Sequence, residues 1–231
     1  MGFGSWDLGF HMLLAVESSS KSLSVALFQD NRLIEEIFTI SEGRTHSEKL
    51  LPLVDQILRT QNLKINDIVS FAVAVGPGSF TALRVVMATV MGLACGIKAP
   101  IYPVSSLKAL ALGVIGEGIR IAPVFKSGRG RVYGALFERK KNELKEKIKE
   151  AVFEPADFIK CIKKTGQPVY FVGSGVELLG AKMKNHLPYV VPRASQVGFL
   201  ALNEKIKPIQ PDALRVRYLQ EPDLGGNHSR P

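Results

Sequence analysis

The sequence contains the same strand–turn–strand pattern twice. The first copy covers residues 14–28 and the second covers residues 124–137. When the copies are aligned, the triplet Ala-Leu-Phe at 26–28 falls on the same triplet at 135–137. Each copy reads as an apolar strand, a turn of small residues and a second apolar strand. A duplicated hairpin of this kind predicts two related lobes, with the two turns facing each other across a cleft.

The two turns differ in the residue that matters most for chemistry. Glu17 precedes the first turn, whereas Lys126 holds the equivalent position before the second turn. An enzyme with such a cleft needs a carboxylate at the first turn to hold a metal or water, and often a second carboxylate opposite. Lys126 can attract phosphate but cannot hold magnesium. We therefore predict a chain without a catalytic residue, a metal site or a cofactor of its own.

The composition is that of an ordinary globular protein with a basic balance. Of the 231 residues, 46% are hydrophobic and 22% are charged, and the net charge is +9. A basic balance indicates an anionic partner, such as nucleic acid or an acidic protein surface. The alternative is a solvated face, because the lysines of residues 139–149 are interleaved with Glu143, Glu146 and Glu150.

Several features favour a cytoplasmic location without a membrane. Cys95 and Cys161 lack metal-ligand spacing and make no disulfide framework, so a reducing compartment is expected. We expect that no apolar run of this sequence is long enough to span a bilayer. Residues 1–11 lack the basic and apolar regions of a signal peptide, and we interpret them as an extension before the first strand.

The order of predicted elements favours an α/β fold. Three strands at 12–17, 23–28 and 33–40 precede a helix, a buried strand at 68–75 and a second helix at 80–95, after which Gly96 suits the helix end. A shorter version of the β-β-β-α-β-α order follows, with helices predicted at 155–164, 176–185 and 195–203. This duplicated pattern fits the ribonuclease-H-like or actin-like ATPase fold. We expect an N-terminal lobe at 12–103, a C-terminal lobe at 104–206 and a partly disordered tail at 207–231.

The glycine-rich turn at 76–79 allows two interpretations. Backbone N–H groups at the start of the following helix could bind an anion. A plain strand–helix turn explains the same residues, because the turn has no Walker lysine. Nucleophilic serines are not expected, since no activating base is visible near them. The candidate nucleotide- or anion-binding residues are Glu17, Ser18, Gly76, Gly78, Ser79 and Lys126.

Small residues recur every four positions in the second helix. Ala88, Gly92 and Gly96 form a smooth stripe where another backbone can approach closely. The stripe is either internal packing or a docking face. A helix that is buried on its sheet side and smooth on the other suits a helical bundle formed with a partner.

Four segments in order resemble the TsaB (YeaZ) family. They are residues 45–52 (THSEKLLP), 76–85 (GPGSFTALRV), 104–107 (VSSL) and 127–133 (SGRGRVY). The first begins with a capping box, Thr45 and Glu48, that opens the first helix. The resemblance covers residues 12 to about 153. The chain departs from the family at Glu17, at Lys126 and at Ala82, where the family commonly has Asp, Asp and Gly.

The resemblance implies an actin-like ATPase fold and a role in making threonylcarbamoyladenosine (t6A) in tRNA. It implies a scaffold that pairs with the catalytic paralogue TsaD through the first two helices and recruits a TsaE-type ATPase, with tRNA bound through the complex. A homodimer is expected when the partner is absent. The predicted docking residues are Leu50, Leu51, Val54, Leu83, Arg84, Met87 and Met91. The alternative hypothesis is an actin-fold kinase or ATPase that acts alone and uses Glu17 for metal.

Overall fold

The computed structural model describes residues 11–40, 46–141, 143–180, 185–188, 190–217 and 219, in two five-stranded sheets and five α-helices. The first sheet contains β1 Met12–Glu17, β2 Ser22–Gln29, β3 Arg32–Ile40, β4 Ser70–Ala74 and β5 Ile101–Val104. The second contains β6 Arg120–Lys126, β7 Val132–Lys140, β8 Glu143–Phe153, β9 Val169–Val172 and β10 His186–Leu187. The helices are α1 His46–Thr60, α2 Phe80–Ile97, α3 Ser106–Leu112, α4 Pro155–Lys163 and α5 Ala194–Asn203.

The two sheets have the same topology. Their strand orders are β3-β2-β1-β4-β5 and β8-β7-β6-β9-β10. In each, the first three strands of the chain are antiparallel neighbours and the last two run parallel to the first. The near-continuous apolar runs of β1 and β4 are explained by this arrangement, because central strands are covered on both faces. The predicted α/β class and the duplicated order are confirmed.

Helices cover both faces of the first sheet. α1 and α2 pack on one face, where Leu14, Val25 and Phe71 form the core with the inward residues of both helices. α5 packs on the opposite face, against Leu13, Ala26 and other residues of β1, β2 and β4. The expectation that the helix at 195–203 completes the second lobe is therefore wrong. Local sequence order could not indicate that this segment crosses back to the first sheet.

The second sheet carries a helix on each side. α3 covers one face with Leu107 and Leu110, over Phe125 and Phe137. α4 covers the other face with Phe158 and Ile162. Gly134 in β7 makes room for α4, because a Cβ atom there would lie 2.8 Å from the Phe158 ring. The lobe boundary expected at 103/104 falls within β5, one residue before that strand ends, and stays a prediction.

Three local predictions need correction. The helix expected at 176–185 is a short 3₁₀ helix, Val176–Leu179, and residues 181–184 lie outside the described ranges. Gly96 does not end α2, because the helix continues to Ile97 and Lys98 takes the left-handed cap conformation with φ of 57°. Because proline inside a helix removes a backbone hydrogen bond, the sequence allowed either a kinked helix or a later start near Pro52; α1 begins at His46 and continues through Pro52, so the later start is wrong. Its proposed cap, Thr45, lies outside the described residues.

α2 is the one helix, within the part of the chain that is described, that is long and apolar enough to cross a membrane by length and composition alone. The expectation that no apolar run reaches that length was therefore wrong. In the fold, Leu83, Val86 and Val90 of this helix are buried in the core of the first lobe. Only a third of the α2 residues are buried, so this apolar helix retains a large outward surface.

The segment after α5 returns to the first lobe. Ile209 forms a bridge with Ile101 of β5, and Leu214 is buried beside α2. The backbone N–H of Arg217 donates to the carbonyl of Val75 at 2.8 Å. Residues 207–217 are thus packed against the first sheet. Within the tail, disorder is expected from the sequence at its end, 221–231, and those residues lie outside the described ranges.

Candidate functional site

The turn after β1 is closed off from solvent. Glu17 is fully buried, and Ser18 and Ser19 are almost so. The N–H and the hydroxyl of Ser19 both donate to Glu17 Oε1 at 2.5 Å. Burial raises the pKa of Glu17 to about 7, and the Ser19 hydrogen bonds oppose this rise. Within the described part of the chain, Glu17 Oε2 and Ser18 Oγ have no hydrogen-bond partner. Neither side chain is accessible to a ligand.

The glycine-rich turn after β4 lies directly against the first turn. The N–H of Ser79 donates to the Ser19 carbonyl at 2.8 Å. A Cβ atom on Gly78 would lie 2.3 Å from that same oxygen, so only glycine permits this approach. The N–H of Gly76 donates to Ser106 Oγ at 3.2 Å, and its carbonyl accepts from the Ser106 N–H at 3.0 Å. The interpretation as a tight structural turn is therefore favoured over an anion cradle.

The lysine before the second turn is paired with an acid. Lys126 ends β6, and its ammonium forms an ion pair with Glu177 of the 3₁₀ helix. The N–H of Ser127 donates to the carbonyl of Arg131 at 2.8 Å, which closes the hairpin between β6 and β7. Lys126 is exposed but already neutralised by its partner.

These residues do not fit the metal–nucleotide pair that an actin-like ATPase fold implies. Glu17 offers no accessible oxygen, the Ser79 amide is occupied by Ser19, and Lys126 is paired with Glu177. Among the described residues, no group of three or more His, Cys, Asp or Glu side chains could hold a metal ion. The six candidate residues therefore support the fold locally, and we derive no chemistry from them.

A polar group beside Gly76 joins the two sheets, and sequence reasoning missed it. Glu150 of β8 accepts a hydrogen bond from the hydroxyl of Ser105, which also caps α3. Arg217 Nη1 lies 2.9 Å from Glu150 Oε2, as a charge contact without hydrogen-bond alignment. Burial raises the pKa of Glu150. The backbone of Arg217 is bonded to Val75, so residue 217 connects the end of β4 to the second sheet.

The predicted docking residues divide into two groups. Four belong to the core of the first lobe and are at most 5% exposed: Leu50, Val54, Leu83 and Met87. We correct these four, because a residue that packs against its own sheet cannot also contact a partner. Three reach the surface: Leu51, Arg84 and Met91. The sequence pattern identified the apolar side of each helix, and that side is the core side.

The stripe that α2 presents to solvent is mostly apolar and smooth; we group it with Leu51 of α1, a helix that also exposes Asp55 and Arg59. We call this group the outer face and define it by Leu51, Phe80, Ala88, Gly92 and Gly96, all of them exposed. A Cβ atom on Gly92 or Gly96 would meet no atom within 4 Å. Phe80 is 42% exposed, and the Arg84 guanidinium stacks on its ring, 3.8 Å from the centroid. The small residues thus face outward and take no part in internal packing.

Comparison with known proteins decides the family. The chain matches the family model of TsaD, tRNA N6-adenosine threonylcarbamoyltransferase, over residues 37–203. It is 30% identical over 217 residues to the tRNA threonylcarbamoyladenosine biosynthesis protein TsaB of Bacillus subtilis, which covers 88% of this chain and 94% of that protein. The chain belongs to the TsaB family. The Escherichia coli TsaB is 32% identical over 146 residues, 62% of each chain.

Solved structures agree with this TsaB assignment at the level of the fold. YeaZ from Pseudomonas aeruginosa superimposes with a TM-score of 0.75 at 24% identity, covering 90% of this chain and all of that chain. A second structure, described as similar to peptidase YeaZ from the same organism, gives a TM-score of 0.79 over 91% of this chain. The match to the TsaD model shows that residues 37–203 of this chain are similar to a TsaD domain.

Proposed function

We propose that this TsaB-family chain is a non-catalytic subunit of the machinery that makes t6A in tRNA. Its curated relatives are t6A biosynthesis proteins by name. We further propose that it docks a TsaD-type paralogue through the outer face and holds that partner in its active form. A TsaE-type ATPase and tRNA would join the complex, in the cytoplasm. In isolation, the same face would support a homodimer.

The outer face carries this proposal. Leu51 of α1 and Phe80 at the start of α2 are exposed apolar side chains, and the surface of α2 is open above Gly92 and Gly96. Burying such a surface against a second helical pair is favourable by roughly 25 cal/mol per Å² of apolar area. The occupant is argued from the family match, because a TsaD-type protein carries the same domain and can present equivalent helices.

The non-catalytic part of the proposal is supported by the two turns. Glu17 and Ser18 are buried, and Lys126 is held by Glu177. Buried side chains of this kind cannot reach a substrate. The alternative of an ATP-binding enzyme that acts alone is not favoured, since it requires Glu17 to hold metal.

The proposal is tested by gel filtration of this chain with the TsaD-type protein of the same organism. Leu51→Glu is expected to separate the two proteins, because it places a charge in the interface. Val69→Glu is the matched control, since Val69 is also an exposed apolar residue, 43% against 51%, but precedes β4 and belongs to neither α1 nor α2. A shared peak that survives Leu51→Glu would contradict this docking face.

A further inference from the structure

The excess of positive over negative charge lies in the second lobe of the chain. Residues 104–206 contain eighteen Lys and Arg against nine Asp and Glu. Residues 12–103 contain eight of each. An asymmetry of this size between two lobes is typical of a nucleic-acid-binding or membrane-binding surface.

Part of this charge is concentrated at the end of α4. Lys160, Lys163 and Lys164 are exposed and lie at i, i+3 and i+4, so they share one side of the helix. Together with Ala156 and Ile159 they line a surface depression of about 430 Å³. Three ammonium groups around one depression form a concave site with positive charge.

The edge strand β8 continues the same surface. Arg120 Nη1 donates to the carbonyl of Thr165, just after α4, at 3.2 Å. Arg120 lies opposite Glu138 in the β6–β7 register, and Lys145 lies opposite Glu138 on β8. Lys147 Nζ is 2.7 Å from Glu138 Oε2. The end of α4 is thus linked to the lysines of β8 indirectly, through Arg120 and its cross-strand neighbour Glu138. We call this surface the basic face and define it by Lys145, Lys147, Lys160, Lys163 and Lys164.

Most of the basic face is not neutralised. In the ranges that the structure describes, Lys147 is paired with Glu138, whereas Lys145, Lys160, Lys163 and Lys164 form no ion pair. Glu146 lies opposite Phe137, whose side chain packs toward α3, so the acid is directed to the other side of the sheet. Glu143 remains near, opposite Lys140. Glu146 is therefore directed away from the basic face, whereas Glu138 and Glu143 stay beside it and are outnumbered by the five lysines.

The chemistry of the basic face suits a polyanion better than a protein. Among the described residues, the exposed large hydrophobic side chains are Leu33, Ile40, Leu51, Val69, Phe80 and Ile115, and none belongs to α4 or β8. Protein interfaces are poor in lysine and depend on buried apolar anchors. A phosphate backbone needs only clustered positive charge. We propose that the basic face binds the phosphate backbone of RNA, identified as the tRNA substrate on the basis of the proposed function.

The test measures binding of labelled, unmodified tRNA by fluorescence anisotropy at several salt concentrations. The triple variant Lys160→Glu, Lys163→Glu and Lys164→Glu is expected to bind at least tenfold more weakly at low salt. The slope of log K against log salt should become shallower by about 2 to 3, since three phosphate contacts are lost. The corresponding Lys→Gln triple keeps α4 free of added acids and should give an intermediate loss. Circular dichroism verifies folding of both.

The control carries the same change of net charge elsewhere. Lys21, Lys64 and Lys207 are exposed residues outside the basic face, and their change to Glu should leave the slope as in the wild type. Equal weakening in the control would overturn the proposal, because net charge alone would then explain binding. Unchanged tRNA binding in the α4 triples, or tighter binding of polyglutamate than of tRNA, would also overturn it. Gel filtration with the TsaD-type protein is run in parallel, so failure of that complex is recognised separately.

Discussion

Substitution of Gly92 separates the stability of the chain from its ability to dock. Gly92 lies inside α2, and a Cβ atom there would meet nothing within 4 Å. Alanine is favoured over glycine in a helix interior by about 1 kcal/mol. Gly92→Ala is therefore expected to raise the free energy of unfolding of the isolated chain by roughly 1 kcal/mol. For a chain of this size, that corresponds to an increase in Tm of about 2–4 °C.

A longer side chain at the same position should have opposite effects on the two properties. Gly92→Gln keeps a good helix former, so the isolated chain should again be more stable than the wild type, by about 0.5 kcal/mol. In the complex, the side chain occupies the space through which the partner helix approaches. Overpacking of this kind costs typically 1–3 kcal/mol, which is a loss of about 5- to 150-fold in affinity.

The matched control lowers stability without blocking the docking surface. Ala88→Gly, one turn earlier on the same stripe, should lower the free energy of unfolding by about 1 kcal/mol and leave affinity nearly unchanged. Thermal unfolding and titration calorimetry with the TsaD-type protein measure the two quantities. A Gly92→Gln variant that is stable and binds with wild-type affinity would refute the docking role of the outer face. A destabilised Gly92→Ala variant would refute the open space itself.

Three other substitutions test the account. Folding raises the pKa of Glu17 from 4.5 to about 7, so the protonated side chain stabilises the fold at low pH and this stabilisation is lost as pH rises through 7. The Glu17→Gln variant should lack this pH dependence of the free energy of unfolding, which is on the order of 3 kcal/mol. Urea titrations from pH 4 to 8 measure it. The Arg217→Ala variant should have a free energy of unfolding lower by about 1–2 kcal/mol, and by more at high pH, because Glu150 loses its counter-charge. The Arg217→Lys variant should keep most of the wild-type stability. Equal melting temperatures of the two variants would contradict a charge contact between residues 217 and 150. Leu50→Glu or Met87→Glu should unfold the chain outright, as circular dichroism would show, and a folded variant would contradict their place in the core.

The fold could be predicted because the duplicated strands have similar local sequences. The triplets at 26–28 and 135–137 lie in equivalent strands, β2 and β7, of two sheets with the same order. The local sequence could not predict which sheet α5 packs against, because apolar residues such as Val197 and Leu200 suit the core of either lobe. Only the tertiary structure shows that they contact the first sheet.

The candidate sites were predicted less well, for a related physical reason. Periodicity identifies the apolar side of a helix, and the sheet takes that side, so Leu50 and Leu83 are core residues. The outer face is marked instead by residues of little hydrophobicity, such as Ala88 and Gly92. Glu150 and Arg217 meet only through the return of the chain, 67 residues apart in sequence, and no local motif signals that contact.

The most direct test of the central claim is t6A formation by the reconstituted machinery, using the TsaD-type and TsaE-type proteins, tRNA, and variants of this chain. The account predicts that Glu17→Gln supports normal t6A synthesis, because Glu17 has no part in the chemistry. It predicts that Gly92→Gln supports little synthesis despite its stable fold, because docking is impaired. Two results together would contradict the scaffold role: the Glu17→Gln variant loses activity with unchanged stability and TsaD binding, and the Gly92→Gln variant is fully active. This chain would then take part in the chemical reaction itself.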